Sequence, residues 1–120
     1  MSMSEVSLRP AVAADATCLS ALATQVFFET YARSGIRLAL AREAEAQFSV
    51  RVVKKRLSHP RSHTTLAEHC GHLVAVVEVV IGAEHALVPP GLAAELTRLY
   101  VQSPFIRQGW VVYSLSKLKR

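Results

Sequence analysis

A mostly apolar run of ten residues, His72 to Ile81, restricts the fold more than any other feature of the sequence. The run is rich in β-branched side chains and is interrupted only by Glu78, so both faces of a strand formed by it are apolar. Such a strand lies at the centre of a sheet that is covered on both sides. Cys70-Gly71 precedes it and is typical of a tight turn, because glycine tolerates positive φ. A central antiparallel hairpin is therefore predicted, which argues against a Rossmann repeat.

Further strands and helices are predicted around this hairpin. Short alternating segments predict three more strands: Glu5 to Arg9, His63 to His69 and Ala94 to Val101. Asp15 is the predicted N-cap of a first helix, which ends before Gly35. Apolar residues at helical spacing predict one continuous second helix from Leu38 to Leu57. With a helix-like stretch after Gly109, the predicted order is β-α-α-β-β-β-α.

The composition is that of a globular protein with one domain, residues 1–120. Hydrophobic residues make up 51% of the chain, which is enough for a buried core. No stretch is long and apolar enough for a transmembrane helix, and no secretory signal is recognisable, so we expect no membrane partner. Cys18 and Cys70 lack the spacing of a disulfide framework, which favours a reduced, cytoplasmic protein.

The net charge of +5 does not indicate nucleic-acid binding, because of where the charges lie. Three of the five net positive charges come from the C-terminal Lys117, Lys119 and Arg120. A second basic cluster, from Arg51 to Arg56, lies at a predicted helix end, where it complements the helix dipole. No aromatic platform accompanies these residues, so we expect no nucleic-acid partner.

Residues 95 to 109, ELTRLYVQSPFIRQG, combine a strand, a turn and a loop that opens a helix. Unpaired N–H groups at a helix N-terminus can hold a pyrophosphate, and a glycine such as Gly109 lets the backbone approach it closely. This segment resembles motif A of the GNAT N-acetyltransferases. The preceding element order resembles the first part of their fold, and FFETYA, Phe27 to Ala32, resembles their substrate-side helix.

The resemblance implies an α+β fold, with a mixed, mainly antiparallel sheet, flanking helices and the C-terminal half of the family's domain missing. It also implies an enzyme that transfers acetyl from acetyl-CoA to a primary amine by direct attack, with acetyl-CoA as co-substrate. The acceptor could be a small amine, an amino acid, an antibiotic or a protein amine. The alternative is a truncated, catalytically inactive GNAT-like module that binds acyl-CoA or a protein partner.

The resemblance also implies a set of site residues. The expected cofactor contacts come from the strand and the loop: Leu99, Tyr100, Val101, Arg107, Gln108 and Gly109. Phe28 and Tyr31 are candidates for the acceptor pocket, although an aromatic core stripe explains them equally well. Glu95 is the first candidate for the catalytic base and Glu78 the second, and either could instead be a solvated strand carboxylate.

A metal site is not predicted. Several potential ligands are close in sequence but lack the paired spacing of a zinc site: His63, His69, Cys70 and His72.

Residues 110–120 are interpreted as an aberrant tail. Val111 stands where the motif has Gly or Ala, and Ile106 where it usually has Gln or Arg. Whichever synonymous codons encode Trp110 and Val111, a neighbouring frame contains a glycine codon there, which would restore Gly-x-Gly. We therefore hypothesise a frameshift. A sheet edge left without its next strand would favour instability, loss of catalysis or a homodimer.

Overall fold

The computed structural model of the chain describes residues 6–81 and 94–102, and the side chains of 6–81 and 98–102. This part contains four strands and three α-helices: β1 Val6–Pro10, α1 Ala16–Tyr31, α2 Leu38–Phe48, α3 Val50–Leu57, β2 Ser62–His69, β3 His72–Ile81 and β4 Ala94–Val101. One turn of 3-10 helix, Ala13–Asp15, joins β1 to α1. The predicted final helix lies outside the described residues.

The strands form one sheet in the order β1-β2-β3-β4, and every described pairing is antiparallel. β3 therefore has a neighbouring strand at each edge, as predicted for a central strand, and the bounds of β3 and β4 agree with the prediction. At the turn before β3, Cys70 and Gly71 have φ values of 52° and 78°. Glycine adopts this left-handed conformation without steric cost.

The helices cover one face of the sheet. A core cluster joins them to β2 and β3, and its members are at most 7% exposed: Ala16, Leu19, Leu22, Val53, Leu66 and Val76. Burial of each large apolar side chain contributes about 1.5–3 kcal/mol relative to leaving it in water. The helical layer and the sheet therefore stabilise each other, and they hold β4 in position beside α1 and α2.

The predicted continuous helix from Leu38 to Leu57 is two helices, so that prediction was wrong. Ser49 has an extended backbone with φ −59° and ψ 154° and separates α2 from α3. In a continuous helix, the Val52 N–H would donate to the Phe48 carbonyl. Here the Val52 N–H donates to the Ser49 hydroxyl at 3.3 Å, and the Ser20 hydroxyl donates to the Phe48 carbonyl. Serine hydroxyls have replaced the helical hydrogen bond at this point.

Asp15 occupies the N-cap position of α1, but its side chain makes no capping bond to that helix. Its carboxylate instead accepts from the Val12 N–H at 2.8 Å and from the Arg9 guanidinium at 2.7 and 2.9 Å. Arg9 also donates to Glu68 at 2.9 Å. The Arg9 hydrogen bonds, and then that of Val12, lower the pKa of the Asp15 carboxyl. Asp15 therefore occupies the predicted N-cap position, but its side chain links β1 to the 3-10 turn and does not cap α1.

Candidate functional site

A groove of about 620 Å³ runs between α1, α2 and β4. Four aromatic residues that line it form the aromatic row: Tyr31, Phe27, Phe48 and Tyr100. Neighbouring ring centroids in this order are 5.2, 5.6 and 5.8 Å apart. These distances are typical of favourable tilted and edge-to-face contacts. The row therefore forms a continuous apolar surface from the exposed end of α1 to β4.

Part of the β4 backbone points away from β3, towards the outer edge of the described sheet. The Gln102 N–H donates to the Val74 carbonyl at 2.9 Å. Because backbone groups alternate in direction along an antiparallel strand, those of Leu99 and Val101 point away from β3. Among the described strands, none pairs with this outer edge. Leu99 and Tyr100 also line the groove, so the outer edge and the groove adjoin.

A β-bulge separates this stretch from the beginning of β4. Glu78 pairs with Arg98 and Val79 pairs with Leu96, so Thr97 has no partner in the register. A bulge bends the strand, and bulges are frequent next to active sites. Glu95, the first candidate base, lies beyond the bulge, where its backbone pairs with Val80. Its side chain is outside the described part.

Glu78, the second candidate base, is only 7% exposed. Its Oε1 accepts a hydrogen bond from Arg98 Nη1 at 2.9 Å. It lines a cavity of about 30 Å³ behind the aromatic row and does not line the groove. A buried ion pair is costly to separate. The geometry therefore favours a role in holding β4 through Arg98 over a role as base.

Two further residues that line this cavity, Arg56 and Tyr100, have shifted pKa values. The Arg56 guanidinium carbon lies 5.9 Å from the centroid of the Phe48 ring, within cation–π range. Burial, and then the positive charge of Arg98, lower the pKa of Arg56. Burial raises the pKa of Tyr100, while the charges of Arg98 and Arg56 act in the opposite direction. The Tyr100 phenol is therefore neutral at physiological pH.

The predicted acceptor residues lie on different sides of α1. Tyr31 lines the groove and is 66% exposed. Phe28 lies at the interface of α1 and α2, beside Ala41 and Ala44, and does not line the groove. The structure thus brings Tyr31, but not Phe28, together with Leu99 and Tyr100. Both acceptor roles stay predictions.

The predicted pyrophosphate loop consists of Arg107, Gln108 and Gly109. It lies outside the described residues, as does the tail 110–120.

Two residues of the site were not identified from the sequence: Arg98, which pairs with Glu78, and Glu43 of α2, which lines the groove. Arg98 had a usable signal, because it is a charge near the middle of a strand that neighbours Glu78 in an antiparallel arrangement. Opposite charges at such positions tend to pair across strands. Glu43 had no distinctive signal, since carboxylates are common on exposed helix faces. Its place in the groove depends on how α2 packs.

Within residues 6–81 and 94–102, no three His, Cys, Asp or Glu side chains lie close enough together to hold a metal ion. No helix in those ranges is long and apolar enough to span a membrane. Cys18 and Cys70 are both exposed and have free thiols.

Comparison with solved structures gives clear matches, whereas no protein-family model and no curated protein sequence matches the chain. One match is the PaiA N-acetyltransferase from Thermoplasma acidophilum in complex with coenzyme A. Its TM-score is 0.72 at 18% identity, and the match covers 98% of this chain and 72% of that protein.

Two further matches have different acceptors in their names. The aminoglycoside 6'-N-acetyltransferase AAC(6')-Ih from Acinetobacter baumannii has a TM-score of 0.65 at 11% identity, with 95% of this chain and 69% of that one covered. The ribosomal-protein-alanine N-acetyltransferase from Brucella melitensis biovar Abortus 2308 has a TM-score of 0.65 at 17% identity, with the same coverage of 95% and 69%. The described architecture and these matches agree with the prediction from motif A: the chain has the fold of the GNAT N-acetyltransferases.

Proposed function

We propose that the protein is an acetyl-CoA-dependent N-acetyltransferase that transfers acetyl to a primary amine by direct attack. One observation carries the proposal: the outward backbone groups of Leu99 and Val101 adjoin the aromatic groove. The donor's pantetheine amides need strand-like hydrogen-bond partners, and the acceptor needs a pocket beside the thioester. One stretch of β4 can meet both needs. The coenzyme A in the PaiA structure supports the same donor for this chain.

The chemistry would divide between the edge of β4 and a base. Acetyl-CoA would supply a thioester whose C–S bond breaks as the amine nitrogen forms the new C–N bond, while the amine proton passes to the base. A backbone N–H on the outer edge, at Leu99 or Val101, can stabilise the negative charge that develops on the carbonyl oxygen. We retain Glu95 as the proposed base and assign Glu78 to positioning β4 through Arg98. Arg107, Gln108 and Gly109 remain the proposed pyrophosphate loop.

Two broader properties are the location and the oligomeric state. We propose a cytoplasmic location, supported by the free thiols of Cys18 and Cys70. A homodimer through the outer edge of β4 stays a prediction of the inactive alternative, because a second chain paired there would occupy the proposed donor site.

Calorimetry with acetyl-CoA, combined with an assay of free coenzyme A release, tests the activity. Binding with amine-dependent release supports the enzyme. Binding without release favours the inactive acyl-CoA-binding module, and the absence of binding contradicts both.

A variant pair tests the outer edge of β4 itself. Val101→Pro removes the outward N–H without removing a hydrogen bond to β3, because proline is tolerated at such edge positions. We expect acetyl-CoA affinity to fall about tenfold, the cost of one hydrogen bond that is well placed. Val101→Ala is the matched control: it also loses apolar volume but keeps the N–H. Equal losses in both variants would contradict the backbone role.

A further inference from the structure

We propose that the groove selects an amine with an apolar body, a positive charge and no acidic group. This inference rests on the proposed function, because it names the acceptor class of the same site.

The charge of the groove is negative and comes from one residue. Among the described residues that line the groove, Glu43 alone carries a formal charge. The Gln47 amide donates to the Glu43 carboxylate, which orients the carboxylate without neutralising it. In the described part of the chain no cation pairs with Glu43. This sign is opposite to that of the chain as a whole, whose net charge is +5.

The lining of the groove suits the apolar part of such an amine. The aromatic row lies along the groove from Tyr31 to Tyr100, and Val26, Leu40 and Leu99 add aliphatic surface. Aromatic faces attract organic cations, and a nearby carboxylate strengthens the attraction. Both kinds of group line the same groove.

The same features act against acidic acceptors. An amino acid carries a carboxylate next to its amine, and this carboxylate would be repelled by Glu43. No cation is among the described residues that line the groove, and Arg56 and Arg98 line the cavity behind the aromatic row instead.

Glu43 acts when the acceptor binds, before the chemical step. Most primary amines are protonated at neutral pH, so the free acceptor arrives as a cation. Attack on a thioester requires the neutral amine, so the proton leaves after binding. A change at Glu43 should therefore alter acceptor affinity more than the rate of acetyl transfer at saturation.

Three related compounds test the proposal: phenethylamine, phenylalanine and phenethyl alcohol. They share one ring and differ in charge and in the acidic group. Calorimetry uses the full chain, with and without coenzyme A. Glu43 is exposed, so we expect phenethylamine to bind about fivefold more tightly than either of the others, which is the upper range for an ion pair with an exposed carboxylate.

Two matched variants assign this selectivity to Glu43. Glu43→Gln should weaken phenethylamine binding about fivefold and leave phenethyl alcohol binding unchanged. Glu45→Gln is the control, because Glu45 is an exposed carboxylate on the same helix that lines a different pocket, beside Phe28. It should leave all three affinities unchanged.

The outcomes separate this inference from the proposed activity. Selective phenethylamine binding that depends on Glu43, without release of coenzyme A, supports the ligand class and contradicts the enzyme. Acetyl transfer without preference for phenethylamine, or preference that survives Glu43→Gln, contradicts the inference and leaves the enzyme supported. Absence of phenethylamine binding, both with and without coenzyme A, also contradicts the inference.

Discussion

The small cavity and the groove meet at the contact between Phe48 and Tyr100, and they differ in whether their charged side chains are paired within the protein. Behind this contact, the small cavity is lined by Arg56, Glu78 and Arg98, and the Glu78 carboxylate accepts a hydrogen bond from Arg98 at 2.9 Å. The charges of Glu78 and Arg98 are therefore paired within the protein. They join β3 to β4 on the C-terminal side of the bulge and so hold the strand whose outer edge is proposed to bind the acetyl donor.

In front of the contact, the groove presents the aromatic row and a carboxylate, Glu43, whose described partner is the neutral amide of Gln47. The negative charge on this side remains available to a ligand. A charged residue that lies near a candidate site is therefore not necessarily a catalytic residue. Glu78 is better explained as a structural ion-pair partner, whereas Glu43 is better placed to select a substrate.

The largest effect is expected from removing the Phe48 ring, which lies between the small cavity and the groove. Phe48 is 4% exposed and contacts Phe27 and Tyr100. Phe48→Ala should lower the free energy of unfolding by about 4 kcal/mol, because it leaves a cavity that joins the groove. Phe48→Leu, which keeps most of the volume, should cost about 1.5 kcal/mol. Urea unfolding measures both, and similar losses for the two variants would show that the ring does not separate the regions.

A somewhat smaller effect is expected from breaking the ion pair between Arg98 and Glu78. Arg98→Ala removes a hydrogen bond and a positive charge from the Glu78 carboxylate, which is 7% exposed, and should lower the free energy of unfolding by about 3 kcal/mol. Replacing both residues, as Glu78→Leu with Arg98→Met, should recover part of this loss, because no unpaired charge remains. If the losses of the single Leu and Met variants simply add in the double variant, the two residues do not act as a pair.

Substitutions on the two sides of α1 should separate binding from stability. Tyr31→Ala should change the free energy of unfolding by about 0.5 kcal/mol or less, because the side chain is 66% exposed. It should weaken phenethylamine binding about fivefold by removing one aromatic face. Phe28→Ala should do the reverse, since Phe28 packs between α1 and α2. Acceptor affinity that depends on Phe28 and not on Tyr31 would assign the acceptor to another surface.

The smallest effect concerns pH and lies far from the groove. The pKa of Asp15 is lowered in the folded state, chiefly by Arg9, so its ionised form stabilises the fold above the ordinary Asp value of 3.8. This contribution should be lost as the pH falls below that value and through the lowered pKa of the folded state. Asp15→Asn should remove this part of the acid sensitivity. Unfolding curves between neutral pH and strong acid measure it, and parallel acid losses in both proteins would contradict it.

Most of the sheet was predictable, because its signals are local. β3 is a β-branched run after a tight turn, and Ser103-Pro104 follows the end of β4 closely in the sequence. The break at Ser49 was not predictable, since it depends on a hydroxyl from α1, that of Ser20, which takes the Phe48 carbonyl. Local helical periodicity contains no information about such a long-range hydrogen bond.

The site was predictable only in part, for the same reason. Motif A indicated Leu99, Tyr100 and Val101, because a strand followed by a turn is a local pattern. The partner of Glu78 depends on the bulge at Thr97, which shifts the register of β4 by one residue. The groove depends on how α1 and α2 pack against β4, so the sequence could not separate Tyr31 from Phe28.

Acetyl transfer from acetyl-CoA to phenethylamine, detected by mass spectrometry of the N-acetylated product, tests most directly whether the outer edge of β4 and the aromatic groove form one transfer site. We predict product above the uncatalysed background with the unmodified chain, about tenfold less with Val101→Pro, and near-normal product with Val101→Ala. Product formation that is equal in all three proteins would contradict the role of the β4 edge. Absence of product with the unmodified, mass-verified chain would contradict the proposed activity.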